Sequence, residues 1–175
     1  MSTKMKKPTI LMTGVTGFVG SHLLTHLVNQ GYDIVVLVRE TSDLSRIRTL
    51  MDYVAVYGAD ENQIELAFRR HRISAVMHLA SSYGRDNNLV TLVQDNITFG
   101  LNVLAQSIQN GVEVFINTDT FFNCGVNPQS YLAEYTTTKK HFLQWLSLRK
   151  DAIKIANLKL HHVYGESDSH DKFAM

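Results

Sequence analysis

A phenol and an ammonium group lie four residues apart at Tyr135 and Lys139, in a segment whose apolar spacing predicts a helix over 130–150. Side chains at that spacing are neighbours on one helix face. Because a nearby cation favours the phenolate, we expect Lys139 to lower the pKa of Tyr135 toward neutral pH, as a proton donor or acceptor beside a carbonyl requires. The same pair is common on solvated helix faces, so the functional interpretation depends on where the pair lies in the fold.

Two threonine hydroxyls stand just after a strand that we predict over 113–117. In open α/β sheets, ligands bind at the carboxyl ends of the strands. We therefore predict that Thr118 hydrogen-bonds the reacting oxygen of a substrate while Tyr135 transfers the proton, with Thr120 as a second candidate. Small polar residues at a strand end also form simple turns, and this alternative stays open.

A glycine-rich run, Thr13 to Gly20, joins a strand-like segment to a helix-like one. Gly14 and Gly17 would let the backbone turn sharply and approach a pyrophosphate, while Gly20 would let helix and strand pack closely. The anion would lie on the unpaired N–H groups at the start of the helix. An ordinary strand-to-helix turn is the alternative. The expected dinucleotide contacts in this run are Gly14, Thr16, Gly17, Phe18, Val19 and Gly20.

The residues after the second predicted strand favour one dinucleotide over the other. Arg39 is suited to hold a 2′-phosphate, with Ser42 as a helper, so NADP is preferred over NAD. Glu40 leaves the choice open, since its carboxylate could accept the ribose hydroxyls of NAD instead. Lys139 has spare donors for ribose hydroxyls. We therefore count Lys139 and its helix neighbour Tyr135 among the expected cofactor contacts.

Asp60 opens a sequence that is typical of a helix capping box, Asp60-Glu61-Asn62-Gln63. In that interpretation Asp60 caps the helix and Gln63 returns a hydrogen bond. The same loop can lie beside an adenine ring in a dinucleotide fold, so Asp60 is also a candidate cofactor contact.

Strand-length apolar runs alternate with longer helical segments along the whole chain, which predicts an α/β fold with a doubly wound parallel sheet. Residues 1–165 form one dinucleotide-binding domain in this interpretation, and 166–175 would begin a further lobe. The predicted strands are 8–13, 33–38, 53–57, 74–79, 113–117 and 153–158. The predicted helices are 18–30, 42–51, 60–71, 88–110 and 130–150.

Composition narrows the range of partners. The 175 residues carry 17 basic and 16 acidic side chains, a net charge of +1, which gives no reason to expect nucleic acid or a membrane surface as a partner. The single cysteine, Cys124, cannot form an internal disulfide, and the start of the chain does not resemble a secretory signal, so we expect a cytoplasmic protein. No apolar stretch is long enough to cross a bilayer.

Histidines offer a weak metal signal. His22 and His26 have the spacing of many zinc ligands, but no third ligand accompanies them, and we expect no metal site. His78 ends a predicted strand, where a role in shaping the backbone is expected. His161 and His162 fall near the expected nicotinamide end, and we include His162 among the candidate cofactor contacts, although packing is the simpler interpretation.

Taken together, these motifs resemble the extended short-chain dehydrogenase/reductase family, in its branch of nucleotide-sugar epimerases, dehydratases and reductases. The resemblance implies a catalytic Thr, Tyr and Lys at Thr118, Tyr135 and Lys139, a nicotinamide cofactor, and a nucleotide-sugar substrate. It further implies that Asn96 and the segment Leu79, Ala80 and Ser81 belong to the cofactor site. The matching pieces are Thr13 to Gly20, His78 to Ser81, Asn96 with Gly100 to Leu104, Thr118 to Thr120, Tyr135 to Lys139, and Leu160 to Gly165.

Within this branch the dehydratases resemble one another in an Asp-Glu pair after the catalytic Thr, where this chain has Asp119-Thr120. The resemblance therefore favours a reductase or epimerase. The stretch 117–122 is similar to the Asn-Thr-Gly-Thr-Phe-Trp sequence of CDP-sugar reductases that make 3,6-dideoxyhexoses. The most specific expectation is reduction of a 4-keto deoxysugar with Tyr135 as proton donor.

Two further expectations follow from the resemblance. The long helices at 88–110 and 130–150 would pair across a homodimer axis, although core packing accounts for at least half of their apolar residues.

Family members also continue into a lobe over the nucleotide sugar. The alternative to an active oxidoreductase is therefore a non-catalytic NAD(P)-binding fragment without that lobe.

Overall fold

The computed structural model describes residues 7–84, 88–123 and 132–168. Six strands form one parallel sheet in the order β3-β2-β1-β4-β5-β6. This order reverses between β1 and β4, which is the doubly wound arrangement, so the predicted fold class is confirmed. The strands are β1 (Thr9–Thr13), β2 (Asp33–Val38), β3 (Ala55–Gly58), β4 (Ile73–His78), β5 (Val114–Thr120) and β6 (Lys154–Leu160).

Helical segments make the five crossovers between these strands. They are α1 (Phe18–Asn29), a 3₁₀ helix (Ser45–Tyr53), α2 (Glu61–Arg70), α3 (Leu89–Val93) continuing through a π turn (Gln94–Thr98) into α4 (Phe99–Gln109), and α5 (Ala133–Ser147). A short 3₁₀ turn (Phe121–Asn123) follows β5.

Three elements differ from the sequence prediction. The helix expected over 42–51 is the 3₁₀ helix Ser45–Tyr53, in which Ile47 is buried and Leu50 and Met51 are partly buried. The helix expected over 88–110 is interrupted by the π turn, where Asn96 is buried. Strand β5 runs on to Thr120, because β6 pairs with it as far as Leu160. Thr118 and Thr120 are therefore strand residues, not turn residues.

The sheet carries an apolar layer on each face, as a parallel sheet requires. On one face, α2, α4 and α5 pack against alternate strand residues, with Leu11, Val76 and Phe115 at the centre. On the other face, α1 and the 3₁₀ helix Ser45–Tyr53 cover Met12 and Val36. Both layers are built by the period-two alternation of the strands.

The ends of β1 and β4 are joined at the point where the strand order reverses. The Thr13 hydroxyl lies 2.9 Å from Nδ1 of His78 and accepts a hydrogen bond of 3.1 Å from the Ala80 amide. The His78 ring is surrounded by Phe99, Phe115 and Phe142. Burial lowers the pKa of His78 to about 3, so the imidazole is neutral. His78 thus shapes the backbone at this strand end.

The last described residues return to the start of α1. His22 on that helix lies 3.2 Å from the carbonyl oxygen of Glu166, and Arg46 donates a 2.7 Å hydrogen bond to the carbonyl of Ser167. Of the predicted lobe start at 166–175, residues 169–175 lie outside the described residues, as does Cys124.

The buried His78 predicts a loss of stability in acid. Its pKa is lower in the folded protein than in the unfolded chain, so the unfolded chain binds the proton first and stability falls as the pH drops below 6.5 toward about 3. Between pH 7.5 and 5.5 this amounts to about 1.4 kcal/mol. We expect His78→Asn, whose amide can reach Thr13, to remove that share of the pH dependence, as measured by urea unfolding at both pH values. An unchanged pH dependence in the variant would contradict this assignment.

Candidate cofactor and active site

The glycine run forms a cradle that side chains would fill. Gly14 has a φ of +69°, and a Cβ there would lie 2.5 Å from the Ala80 nitrogen. A Cβ on Gly20 would lie 2.1 Å from the Gly14 carbonyl oxygen. Helix α1 can approach the loop this closely because glycine lacks a Cβ. Gly17 is the N-cap of α1, and its amide donates a 3.1 Å hydrogen bond to the Gly14 carbonyl.

The start of α1 is suited to an anion. No side chain caps Gly17, and the first turn of α1 contains no acidic residue. The helix dipole and its amide groups therefore meet no competing carboxylate from that turn. This geometry fits the phosphates of a dinucleotide.

A cleft of about 1240 Å³ opens from this cradle along the carboxyl ends of the strands. It brings together many of the residues that the sequence nominated as cofactor contacts. They are Gly14, Thr16, Gly17, Arg39, Ser42, Asp60, Leu79, Ala80 and Ser81. Glu40, the alternative to Arg39, also lines the cleft. Phe18, Val19 and Gly20 lie in the first turn of α1, behind the loop.

Several cleft residues were missed by the sequence analysis. Tyr57, Gly58 and Ala59 follow or end β3, and the rule that ligands bind at strand carboxyl ends could have nominated them. Asp95 and Asn102 come from the helical segment between β4 and β5. No local signal marks that pair, since their place depends on how this segment packs.

Arg39, Asp60 and Asp95 at the cleft already have protein partners. Arg39 Nη1 lies 2.8 Å from Oδ2 of Asp95, with side-chain exposures of 61% and 23%. Asp60 caps α2 by accepting a 3.1 Å hydrogen bond from the Gln63 amide. The predicted capping role of Asp60 is confirmed, and its proposed contact with adenine stays a prediction.

Asn96 is a clamp between a loop and a helix. Its Oδ1 accepts a 2.7 Å hydrogen bond from the Ser82 amide, and its Nδ2 donates to the Ser82 carbonyl at 2.8 Å and to the Thr138 hydroxyl at 2.9 Å. The π turn directs this side chain inward. Asn96 therefore holds the Ser81 end of the cleft against α5, and a direct contact with the cofactor stays a prediction.

Tyr135 is buried, and its surroundings keep it protonated. The pKa of the phenol is raised to about 12, mainly by burial and next by the neighbouring Tyr83, while hydrogen bonds with Thr120 and Ser81 lower it in part. The expectation that Lys139 brings this pKa toward neutral pH is wrong for this structure, because desolvation is the largest cause of the shift and Lys139 is not among the groups that move it. The Tyr83 ring packs on the phenol with centroids 4.6 Å apart.

Lys139 is buried one helical turn from Tyr135, as predicted for α5. Its ammonium donates a 2.6 Å hydrogen bond to the Thr118 carbonyl. Burial lowers the pKa of Lys139 to about 8, and the charge of Asp119 opposes that shift. The ammonium thus retains two further N–H donors for a ligand.

The two candidate threonines have different partners. Thr118 donates a 3.2 Å hydrogen bond from its hydroxyl to the His78 carbonyl. Thr120 is the one whose hydroxyl is bonded to the Tyr135 phenol. Both point to the same face of the sheet, since strand side chains alternate. The Thr118 hydroxyl is therefore engaged with the backbone, and Thr120 is the candidate that lowers the pKa of the phenol.

Asp119 is turned to the opposite face and is held there. Its carboxylate accepts hydrogen bonds from the Thr120 amide at 2.7 Å, Asn123 Nδ2 at 2.8 Å and Asn157 Nδ2 at 3.0 Å. With three donors around it, this buried group acts as a structural acceptor at the end of β5 and β6.

His162 lies outside the cleft. It is exposed and belongs to an aromatic cluster, with its ring 5.5 Å from Phe121 and 6.3 Å from Phe122, while His161 stacks on Phe121 at 5.1 Å. Its nomination as a cofactor contact stays a prediction.

Two features are absent from the described residues, a metal-binding cluster and a membrane-spanning helix. Over 7–84, 88–123 and 132–168, no three His, Cys, Asp or Glu side chains come together in a way that could hold a metal ion. Within the same ranges, every helix is too short or too polar to span a bilayer.

The sheet order, the glycine cradle and the cleft are those of the doubly wound α/β class of dinucleotide-binding proteins. The family model for the NAD dependent epimerase/dehydratase family matches residues 10–175. The chain belongs to that family, and the family resemblance noted from its motifs is confirmed.

Known proteins of this family cover most of the chain. CDP-abequose synthase of Salmonella muenchen is 30% identical over 167 residues, 93% of this chain and 56% of that protein. A UDP-glucose 4-epimerase from Thermotoga maritima, solved with UDP-glucose, matches with a TM-score of 0.78 and 26% identity over 90% of this chain and 56% of its own.

A second solved structure shows the same fold. The UDP-glucose 4-epimerase of Thermus thermophilus, in complex with NAD, has a TM-score of 0.76 and 24% identity, covering 92% of this chain and 57% of its own. The chain thus spans little more than half the length of these relatives.

The geometry of the cradle predicts different losses of stability for alanine substitutions at Gly20 and Gly17. Gly20→Ala places a Cβ against backbone, which no rotamer can relieve, so we expect the free energy of unfolding to fall by about 2 kcal/mol or more. Gly17→Ala is the matched control, because its Cβ would lie 3.4 Å from the Gly14 oxygen, and we expect a loss below about 1 kcal/mol. Urea unfolding of both variants tests this, and equal stabilities would show that the close approach is not required.

Proposed function

We propose that this protein is an NAD(P)-dependent oxidoreductase or epimerase that acts on a nucleotide-linked sugar. The most specific form of the proposal is reduction of a 4-keto deoxysugar. The observation that carries it is the position of Ser81, which lines the cleft and lies near enough to the Tyr135 phenol to lower its pKa. A ligand that fills the cleft toward Ser81 therefore ends beside a proton donor.

The cradle and the cleft supply the contacts for a dinucleotide. The amide groups at the start of α1 would hold the pyrophosphate, and Gly14 leaves room for it beside Ala80. NADP is the proposed preference, because Arg39 at the end of β2 can meet a 2′-phosphate. NAD is the alternative, with Glu40 at the ribose hydroxyls.

The site residues divide the proton chemistry among them. A bound nicotinamide dinucleotide would supply the hydride. Tyr135 holds a proton at neutral pH, since its pKa is about 12, and can donate it to a carbonyl oxygen that gains charge during reduction. The hydroxyls of Thr120 and Ser81 stabilise the phenolate that remains, and the Lys139 ammonium lies one turn away. Thr118 is the proposed further contact to the substrate oxygen.

The comparison with CDP-abequose synthase supports a reductase over a dehydratase. That relative is named for making a CDP-linked sugar. In this chain Asp119 is followed by Thr120, and three donors from β5, β6 and the 3₁₀ turn after β5 already hold the Asp119 carboxylate. Acid–base elimination would need such a carboxylate at the substrate.

The proposal extends to a homodimer in the cytoplasm. Leu104, Phe142 and Leu146 are buried in the core, but Val90 and Trp145 remain 67% and 45% exposed on α3 and α5. A second copy of the chain, pairing the same two helices, would cover them. The cytoplasmic assignment follows from the single cysteine.

The first test is ligand binding followed by turnover. We expect NADPH and NADH to bind the 175-residue chain, as read from nicotinamide fluorescence, with NADPH bound more tightly. Absorbance loss with a CDP-linked 4-keto sugar then reports reduction. Binding without turnover would support the alternative of a non-catalytic NAD(P)-binding fragment. Failure of both dinucleotides to bind would contradict the proposal.

Tyr135→Phe should lower that turnover by about 100-fold or more, because it removes the proton donor but keeps the ring. Tyr83→Phe is the matched control, since it keeps the packing on Tyr135 and removes the hydroxyl of a half-exposed residue, and it should retain most of the turnover. Equal loss in the two variants would exclude a special role for Tyr135.

The dimer makes a separate prediction. Val90→Glu should convert the protein to a monomer, because a charge cannot be buried without a partner, while the stability of the monomer changes by about 0.5 kcal/mol or less. Tyr53→Glu, 69% exposed on the 3₁₀ helix, is the control and should leave the dimer intact. Sedimentation velocity distinguishes these outcomes, and a wild-type monomer would refute the pairing.

A further inference from the structure

The ion pair between Arg39 and Asp95 crosses the mouth of the cleft. Arg39 follows β2, whereas Asp95 lies in the π turn, 56 residues away in sequence. The 2.8 Å contact therefore links two walls of the cleft that come from distant parts of the sequence. Both residues line the same cavity.

Arg39 is the one cation among the described residues that line this cleft. Four carboxylates share the lining with it, so a dianionic 2′-phosphate would depend on this guanidinium for its attraction. The four acidic residues are Glu40, Asp60, Glu61 and Asp95.

Among these carboxylates, Asp95 is the one that the structure pairs with Arg39. Asp60 accepts from the Gln63 amide, and Glu61 accepts a 3.0 Å hydrogen bond from Asn102. The side chain of Asp95 is 23% exposed and therefore largely covered by protein, whereas the side chain of Arg39 is 61% exposed and largely solvated. An exposed pair of this kind is weak enough to be exchanged for a ligand phosphate.

We infer that Asp95 competes with the 2′-phosphate for Arg39 and thereby sets how strongly the cleft discriminates NADP from NAD. The inference rests on the proposed function, because it assumes that a dinucleotide occupies this cleft. Asp95 occupies one guanidinium nitrogen and offsets the charge of Arg39. A ligand that lacks the 2′-phosphate leaves the pair intact, so Asp95 acts on one cofactor and not on the other.

Asp95→Asn removes the charge and keeps the size and an acceptor oxygen. We expect it to tighten the binding of adenosine 2′,5′-bisphosphate about three- to fivefold, equivalent to about 0.7–1 kcal/mol, and to leave the affinity for adenosine 5′-monophosphate unchanged. These probes differ by the 2′-phosphate alone, and titration calorimetry on the full chain measures both. NADPH and NADH should follow the same pattern.

Two further variants test whether the effect passes through Arg39. Glu61→Gln removes one charge from the same cleft without touching the pair, and it should change the ratio of the two affinities much less than Asp95→Asn does. In an Arg39→Ala background, Asp95→Asn should no longer favour the bisphosphate. An equal effect of Glu61→Gln, or an undiminished effect without Arg39, would replace the inference by general charge repulsion and so overturn it.

The outcomes separate this inference from the proposed function. If the adenosine phosphates and both dinucleotides bind, but Asp95→Asn leaves the affinity ratio unchanged, the role of Asp95 is refuted and the proposed cofactor site stands. If none of these ligands binds the wild-type chain, both are refuted.

Discussion

The close approach of backbone to backbone where β1 and β4 end is the constraint on which the rest of the site depends. Gly14 lies against Leu79 and Ala80 with no space for a Cβ. The Thr13 hydroxyl fixes the same junction from the side, through His78 and the Ala80 amide. Because the strand order reverses there, the neighbouring crossovers leave in opposite directions and a crevice opens between them. The cradle, the cleft and Ser81 all take their positions from this junction.

Burial controls the electrostatics of the second half of the site. Tyr135, Lys139 and His78 are nearly inaccessible to water, and for each of them desolvation is the largest cause of the pKa shift. Burial disfavours the charged form, so the phenol and the imidazole stay neutral and the lysine is less basic than in water. A ligand enters a site whose donors are already oriented by protein hydrogen bonds, which lowers the reorganisation that binding requires. Asn96 contributes by holding the loop before Tyr83 against α5.

The fold was predictable because its signals are local and repeated. Strand β2 is apolar from Ile34 to Val38 and β4 is largely apolar, and each is followed by a helical segment of the right length to cross over. The element boundaries were less predictable where partners decide them. Strand β5 extends to Thr120 through pairing with β6, and the helix after β4 is broken by a π turn that places Asn96 inside. Neither pairing nor the inward turn leaves a mark on the local sequence.

The class of fold, the glycine cradle and the neighbouring positions of Tyr135 and Lys139 could be predicted from the sequence alone, since these depend on spacing within one strand or one helix. The protonation of Tyr135, its interaction with Thr120, and the pairing of Arg39 with Asp95 required the folded structure. Those features join residues from different elements, and their energies depend on desolvation and on distances across the fold. A pKa or an ion pair is a property of the packed surroundings, which chain order does not encode locally.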